Sequence, residues 1–117
     1  MFLLSLGVSN PPNRFSQSEC LAAFQASQSW TALRPRSKAI LQKVLNNANG
    51  IRQRYLALDD LSEAFEIDPD TMHKRFTLWA PKLAAHAAQK AMDEVGLDPD
   101  RIDGLRISSH TGYLCPG

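Results

Sequence analysis

The feature that most constrains this chain is a single long helical pattern, opened by Asp68-Pro69-Asp70-Thr71 and closed by Gly96. Asp68 suits a cap, Pro69 suits the first helical position, and acids suit the positive end of the helix dipole. Leu83, Ala84, Ala87, Ala88, Ala91, Met92 and Val95 then recur at three-and-four spacing. A stripe made mostly of alanine lets a neighbour approach the helix axis closely, as in the interior of a layered protein. Pro81 lies inside the pattern, lacks an N–H, and is expected to kink or divide the helix near Leu78.

Around this helix the remaining segments predict a helix-rich α/β chain. Phe2–Val8 is apolar and short enough for a buried strand, and Ser9-Asn-Pro-Pro-Asn13 is a turn cluster that ends it. Ser16 or Ser18 caps a helix running to about Gln28, on the spacing of Cys20, Leu21 and Phe24. Arg34-Pro35-Arg36 interrupts. A second helix from about Ser37 carries Ile40, Leu41, Val44 and Leu45 on one face, and Asn46–Gly50 stops it. Ile51–Leu58 reads as a short extended segment, Asp59–Ile67 has a weak helical tint, and Gly104–Ser109 reads as a strand after the polar connection 98–103. Helix, loop and strand make one arm of an α/β layer with nothing in the sequence to cover the strand's other face, so residues 1–117 are expected to be a single incomplete domain.

Composition narrows the partners. With 44% hydrophobic residues and a net charge of +1, the chain is a globular sequence with no global field for nucleic acid or an anionic membrane. No targeting or spanning segment is visible, and a cytoplasmic location is expected. Cys20 and Cys115 lack metal-ligand spacing and are expected to be reduced thiols. The charges are nevertheless segregated. No acid lies between Glu19 and Asp59, a stretch holding Arg34, Arg36, Lys38, Lys43, Arg52 and Arg54, whereas residues 59–70 hold six acids. The basic run is either one of two compensating solvated faces or a surface for phosphates; with only Trp30 and Tyr55 near it, base stacking is poorly supported. His73 and His86 read as surface histidines, Asp93 and Glu94 as a solvated helix end, and Trp30 and Trp79 as core or interface anchors.

Four stretches, Gly50-Ile-x-x-Arg-Tyr55, Ala80-Pro81-x-Leu83-x3-Ala87-Ala88-x2-Ala91, Gly96-Leu-x-Pro99-x2-Ile102-Asp103 and Ser109-His-Thr-Gly-Tyr-Leu-Cys-Pro-Gly117, occur in the order seen in one family. Together they resemble the amino-terminal part of the chalcone and stilbene synthases, type III polyketide synthases of thiolase-like fold. The resemblance implies a thiolase-like layered α/β fold, in which the short strands read above near 2–8 and 104–109 would take part. It implies an acyltransferase that condenses acyl-CoA with malonyl-CoA by decarboxylation, as a homodimer and without a cofactor. The family's catalytic Cys, His and Asn lie downstream of the Pro-Gly turn, so no catalytic residue transfers and the 117-residue chain alone is expected to be inactive. By the same resemblance His110 and Thr111 line the acyl cavity, and Cys115 reaches the dimer interface. An imidazole at position 110, where the family more often has a small residue or Cys, narrows that cavity or adds a donor.

The family's carrier-phosphate bases fall here on Leu41, Val44 and Ala48, so that site does not transfer. Arg34, Arg36 and Lys43 are the candidates to replace it. The competing reading is a non-catalytic α/β interaction module, or a truncated relative, that pairs with another chain.

Overall fold

The structure, a computed structural model, describes residues 2–46 and 50–109. These form two compact units, Pro11–Asp68 on one hand and Met1–Asn10 together with Pro69–Gly117 on the other.

The first unit, Pro11–Asp68, opens with strand β1 (Asn13–Ser16), which runs directly into helix α1 (Gln17–Ala26). Ser16 makes the junction. Its hydroxyl accepts from the Glu19 backbone N–H (3.1 Å), and the Glu19 carboxylate accepts from the Ser16 N–H (2.7 Å), a reciprocal cap that satisfies two otherwise orphaned donors. The helix stops earlier than its apolar spacing suggests, because Ser27 competes with the ladder. Its hydroxyl donates to the Phe24 carbonyl (2.7 Å) and accepts from the Trp30 N–H (3.4 Å), which starts the short helix α2 (Gln28–Thr31).

Pro35 then begins α3 (Pro35–Leu45) instead of merely interrupting the chain, its fixed φ suiting the first helical position. Asn46 ends that helix, and Gly50 takes a φ of +82° that a side chain rarely adopts. The expected extended segment is strand β2 (Gln53–Leu56), antiparallel to β1 in the register Asn13↔Leu56, Arg14↔Tyr55, Phe15↔Arg54 and Ser16↔Gln53. Asn13 adds a tie beyond the ladder, its side-chain amide donating to the Leu58 carbonyl (2.8 Å). Leu58 is buried. The weak helical tint that follows is a 3-10 turn, Leu61–Phe65, capped reciprocally by Asp60 and Glu63. Its Phe65 stacks at a tilt on Phe24 (5.4 Å between ring centroids), and Phe24 meets Trp30 edge-on at 5.9 Å.

The second unit is built on α4 (Pro69–Val95), 27 residues in one continuous helix. Pro81 does not divide it: one missing N–H removes one rung, while the turns on both sides keep theirs. Gly96, at φ +63°, ends the helix, with the Gly96 and Leu97 N–H groups returning to the Asp93 and Met92 carbonyls. A short 3-10 turn, Pro99–Arg101, follows under an Asp98 cap.

The alanine stripe of α4 has a close neighbour, and it is the segment 2–9, which has no regular structure of its own. Gly7 lies so near that a Cβ there would overlap the Ala87 carbonyl oxygen and come within 2.8 Å of the Ala91 nitrogen. Beside it the Ser5 hydroxyl donates to the Ala91 carbonyl (2.7 Å), Lys90 Nζ donates to the Val8 carbonyl (3.3 Å), and Ser9 Oγ pairs with His86 Nδ1 (3.2 Å). Small residues at 5, 7 and 9 thus settle on the helix. Phe2, Leu4, Leu6 and Val8 alternate with them and are exposed.

Two strand expectations are corrected. Residues 2–8 form no ladder, and 104–109 has no regular structure; among the described residues the sheet consists of β1 and β2. Apolar composition favours an extended backbone, but a strand also needs a hydrogen-bonded edge beside it. The protein is therefore helix-rich with a small two-stranded sheet, consistent with an α/β class at that coarse level.

Candidate functional site

The resemblance assigns His110, Thr111 and Cys115 to a cavity wall and a subunit interface, and all three lie outside the described residues. The basic candidates are within them. Arg34 is the N-cap residue of α3, without a side-chain capping bond, Arg36 is the second residue of the helix, and Lys43 is in its last turn. Seven residues separate Arg36 from Lys43, which puts both on nearly the same side of the helix about 10 Å apart along its axis. Both are exposed, as is Arg34. Lys38, from the same acid-free run, has its ammonium 5.5 Å from the Trp30 ring centroid, a cation–π contact that ties α3 to α2. The run therefore divides: Lys38 packs on an aromatic, and Arg34, Arg36 and Lys43 present charge to solvent.

Arg54 departs further from the reading of a solvated basic face. Its Nε donates to Oε1 of Gln17 at 2.8 Å, and Gln17 is wholly buried, the most enclosed polar side chain described. The Gln17 amide nitrogen donates in turn to the Val44 carbonyl in the last turn of α3 (3.2 Å), and the Gln17 backbone N–H donates to the Arg52 carbonyl (3.2 Å). One side chain thereby joins the start of α1, the end of α3 and strand β2, satisfying a helix-end carbonyl with a donor the helix cannot supply. A glutamine in the polar first turn of a helix is expected to face water. Only the β1–β2 register, which brings Arg54 opposite Phe15, reveals that it faces inward.

Cys20, one turn beyond Gln17, is half-buried, and burial pushes its thiol up from the ordinary range against the opposing pull of the Arg54 charge. It is a poor thiolate nucleophile as it stands. His73 and His86 are exposed, and His86 is engaged with Ser9. Asp93 accepts from the Gln89 side chain (2.7 Å) on an exposed helix end. Trp79 carries Lys82 at 5.7 Å from its ring centroid. Among the described residues no three His, Cys, Asp or Glu side chains gather as a metal site, and no helix is long and apolar enough to cross a membrane.

No protein-family model matches the chain. A curated relative does: bisdemethoxycurcumin synthase of Oryza sativa subsp. japonica is 31% identical over 126 aligned residues, which take in 98% of this chain. The chain spans 30% of the length of that relative. This similarity supports a distant relation to a chalcone/stilbene-type synthase, the family that the four stretches from Gly50 to Gly117 resemble.

Proposed function

We propose that the chain is the amino-terminal portion of a type III polyketide synthase-like acyltransferase, one that extends an acyl-CoA by decarboxylative condensation with malonyl-CoA. The observation that carries this reading is a similarity running through 98% of the chain to a synthase of that type. In the proposal, the thiolase-like fold is completed by protein that also supplies the Cys nucleophile and the His and Asn that hold charge on thioester oxygens. This portion contributes His110 and Thr111 to the acyl cavity and Cys115 to a homodimer interface.

Arg34, Arg36 and Lys43 are proposed to take the carrier's phosphates, and their solvent-facing placement on α3 supports it. Phosphate contacts by surface bases are salt-sensitive, so carrier affinity should fall as ionic strength rises. Replacing the three bases by serine in the complete synthase should raise the KM for the CoA substrate and leave kcat nearly unchanged. An unchanged KM removes them from the site.

The exposed row Phe2, Leu4, Leu6 and Val8, with Leu105 and Ile107, also suits a chain that shares its layers with further protein. The same row suits a non-catalytic interaction module that pairs with another chain. The deciding experiment is to incubate the complete gene product with malonyl-CoA and aromatic or fatty acyl-CoA starters, following CoA release and product mass. Condensation products establish the first reading. Their absence from a folded, complete protein, combined with co-purification of a second chain, favours the module.

A further inference from the structure

The Pro11–Asp68 unit contains a crevice that the acyltransferase reading does not use. It has a volume of about 370 Å³, and its walls include Cys20 and Phe24 of α1, Arg54 and Leu56 of β2, and Leu61 and Phe65 of the 3-10 turn. Ligand sites typically combine such a size, a mostly apolar and aromatic lining, and a few polar groups that fix orientation. Among the described residues the one charged group in the wall is Arg54, and it is held in place from behind. Its Nε is committed to Gln17, which is fully buried and itself anchored to the Val44 carbonyl. A guanidinium fixed through Nε still offers the donors of its two terminal nitrogens, a fork that matches the two oxygens of a carboxylate.

The geometry points to this crevice as a binding site for a small apolar carboxylate, with the acid group on Arg54 and the hydrocarbon body against the paired rings of Phe24 and Phe65 and the leucines. The acid is preferred to a neutral guest because a neutral guest would leave Arg54 without a counter-charge. It is preferred to a larger anion because, among the described residues, the lining offers one cation in a wall whose other side chains, Ser29 and Cys20 apart, are apolar. The Cys20 thiol, held in its neutral form by burial, does not repel a carboxylate. Nothing in the crevice depends on the condensing-enzyme reading.

The test is a titration of the isotopically labelled 117-residue chain with sodium octanoate, monitored by amide NMR shifts, with 1-octanol as a neutral control of the same chain length. Saturable shifts at residues 20–24, 54–56 and 61–65 are expected, with octanoate binding about tenfold or more tightly than octanol, as a charge-assisted hydrogen bond supplies. Arg54→Gln should bring octanoate down to the affinity of octanol. Ala64 lines the same crevice yet is itself exposed, so Ala64→Phe should fill the space without disturbing the fold, and should abolish binding of both. If Arg54→Gln fails to fold, Ala64→Phe and the octanol comparison decide the matter alone. Equal affinity for octanol and octanoate, undiminished binding by Ala64→Phe, or shifts spread over the exposed residues 2–8 would overturn the assignment.

Discussion

Replacing Gly7 by alanine sets two effects of opposite sign against each other, and the structure decides which prevails. Gly7 does not have a positive φ; among the described residues Gly50 and Gly96 do. An alanine at position 7 is therefore conformationally acceptable, and by restricting the unfolded chain it should stabilise by about 0.4–1 kcal/mol if nothing obstructs it. Something does. The new methyl would overlap the Ala87 carbonyl oxygen and stand 2.8 Å from the Ala91 nitrogen. Both are backbone atoms of α4, so no rotamer change and no side-chain truncation at 87 or 91 relieves the contact. The segment must lift, and lifting it stretches the bond from the Ser5 hydroxyl to the Ala91 carbonyl, which contributes about 1 kcal/mol. Forcing atoms into close-packed space costs about 1–3 kcal/mol. The net expectation is a loss of about 1–3 kcal/mol once the unfolded-state gain is subtracted.

Urea unfolding followed by far-UV circular dichroism, which is dominated by α4, measures this directly. Gly104 provides the control: it also avoids positive φ, and nothing stands within 4 Å of the position of its Cβ. Gly104→Ala should be neutral or slightly stabilising. If Gly7→Ala is as stable as the parent, or matches Gly104→Ala, then residues 2–9 do not lie against the alanine stripe and the packing described for that unit is wrong.

Gln17→Ala should destabilise the Pro11–Asp68 unit by about 1–3 kcal/mol, because it removes a fully buried side chain that partners a helix-end carbonyl and a guanidinium, and NMR should show the loss at Val44 and Arg54 together. Ser16→Ala should cost about 1 kcal/mol in denaturant unfolding by removing one half of the reciprocal cap, and Ser18→Ala should not, since Ser16 is the capping residue. The Glu19 carboxyl is held below the ordinary range by the Ser16 N–H and then the Ser16 hydroxyl, and that of Asp60 by the Ser62 hydroxyl and then its N–H. A pKa lower in the folded state means that the unfolded chain binds protons more readily. Both caps thus contribute fully above the unfolded carboxyl value of about 4 and lose that contribution as acidity carries pH down through the folded values. Melting temperature should fall over that acid range, and Glu19→Gln with Asp60→Asn should flatten the fall.

Much of the helical architecture is legible in the sequence because its signals are local. Ser16 or Ser18 before a polar first turn announces a capped start, which the structure gives to Ser16, Asp68-Pro69-Asp70 announces a second, and Gly96 a stop. What the sequence does not disclose depends on partners distant along the chain. Asn13 reads as turn chemistry, yet it opens β1 because Leu56 and the Leu58 carbonyl are available to it. Phe2–Val8 has the composition of a strand, yet what it meets is a helix surface, on which its small alternate residues settle. Pro81 breaks one rung and not the helix, a result that depends on the rest of the ladder more than on the proline. Gln17 and Arg54 carry no sequence signal of burial. Their pairing follows from β2 lying beside β1, and nothing local to either residue specifies it.

The proposed acyl cavity and the crevice stand on residues far apart in the chain, which makes those two separable by experiment, whereas the proposed phosphate bases Arg34, Arg36 and Lys43 belong to the same unit as the crevice. The proposed acyl cavity and dimer interface take His110, Thr111 and Cys115, with the nucleophile supplied by further protein, whereas the carboxylate crevice is assembled from residues between Cys20 and Ile67. Ala64→Phe in the complete synthase should therefore leave kcat and KM for the CoA substrates unchanged while removing octanoate binding. His110→Ala should do the reverse, altering which acyl starters are accepted and leaving the crevice titration as it was. If Ala64→Phe lowers kcat/KM as well, the crevice communicates with the condensing site, and the guest it holds is then better sought among acids that share a hydrocarbon body with the starter. If both variants leave starter preference unchanged, His110 is not a cavity residue, and the resemblance at the Thr-Gly-x-x-x-Pro-Gly stretch describes fold and not substrate choice.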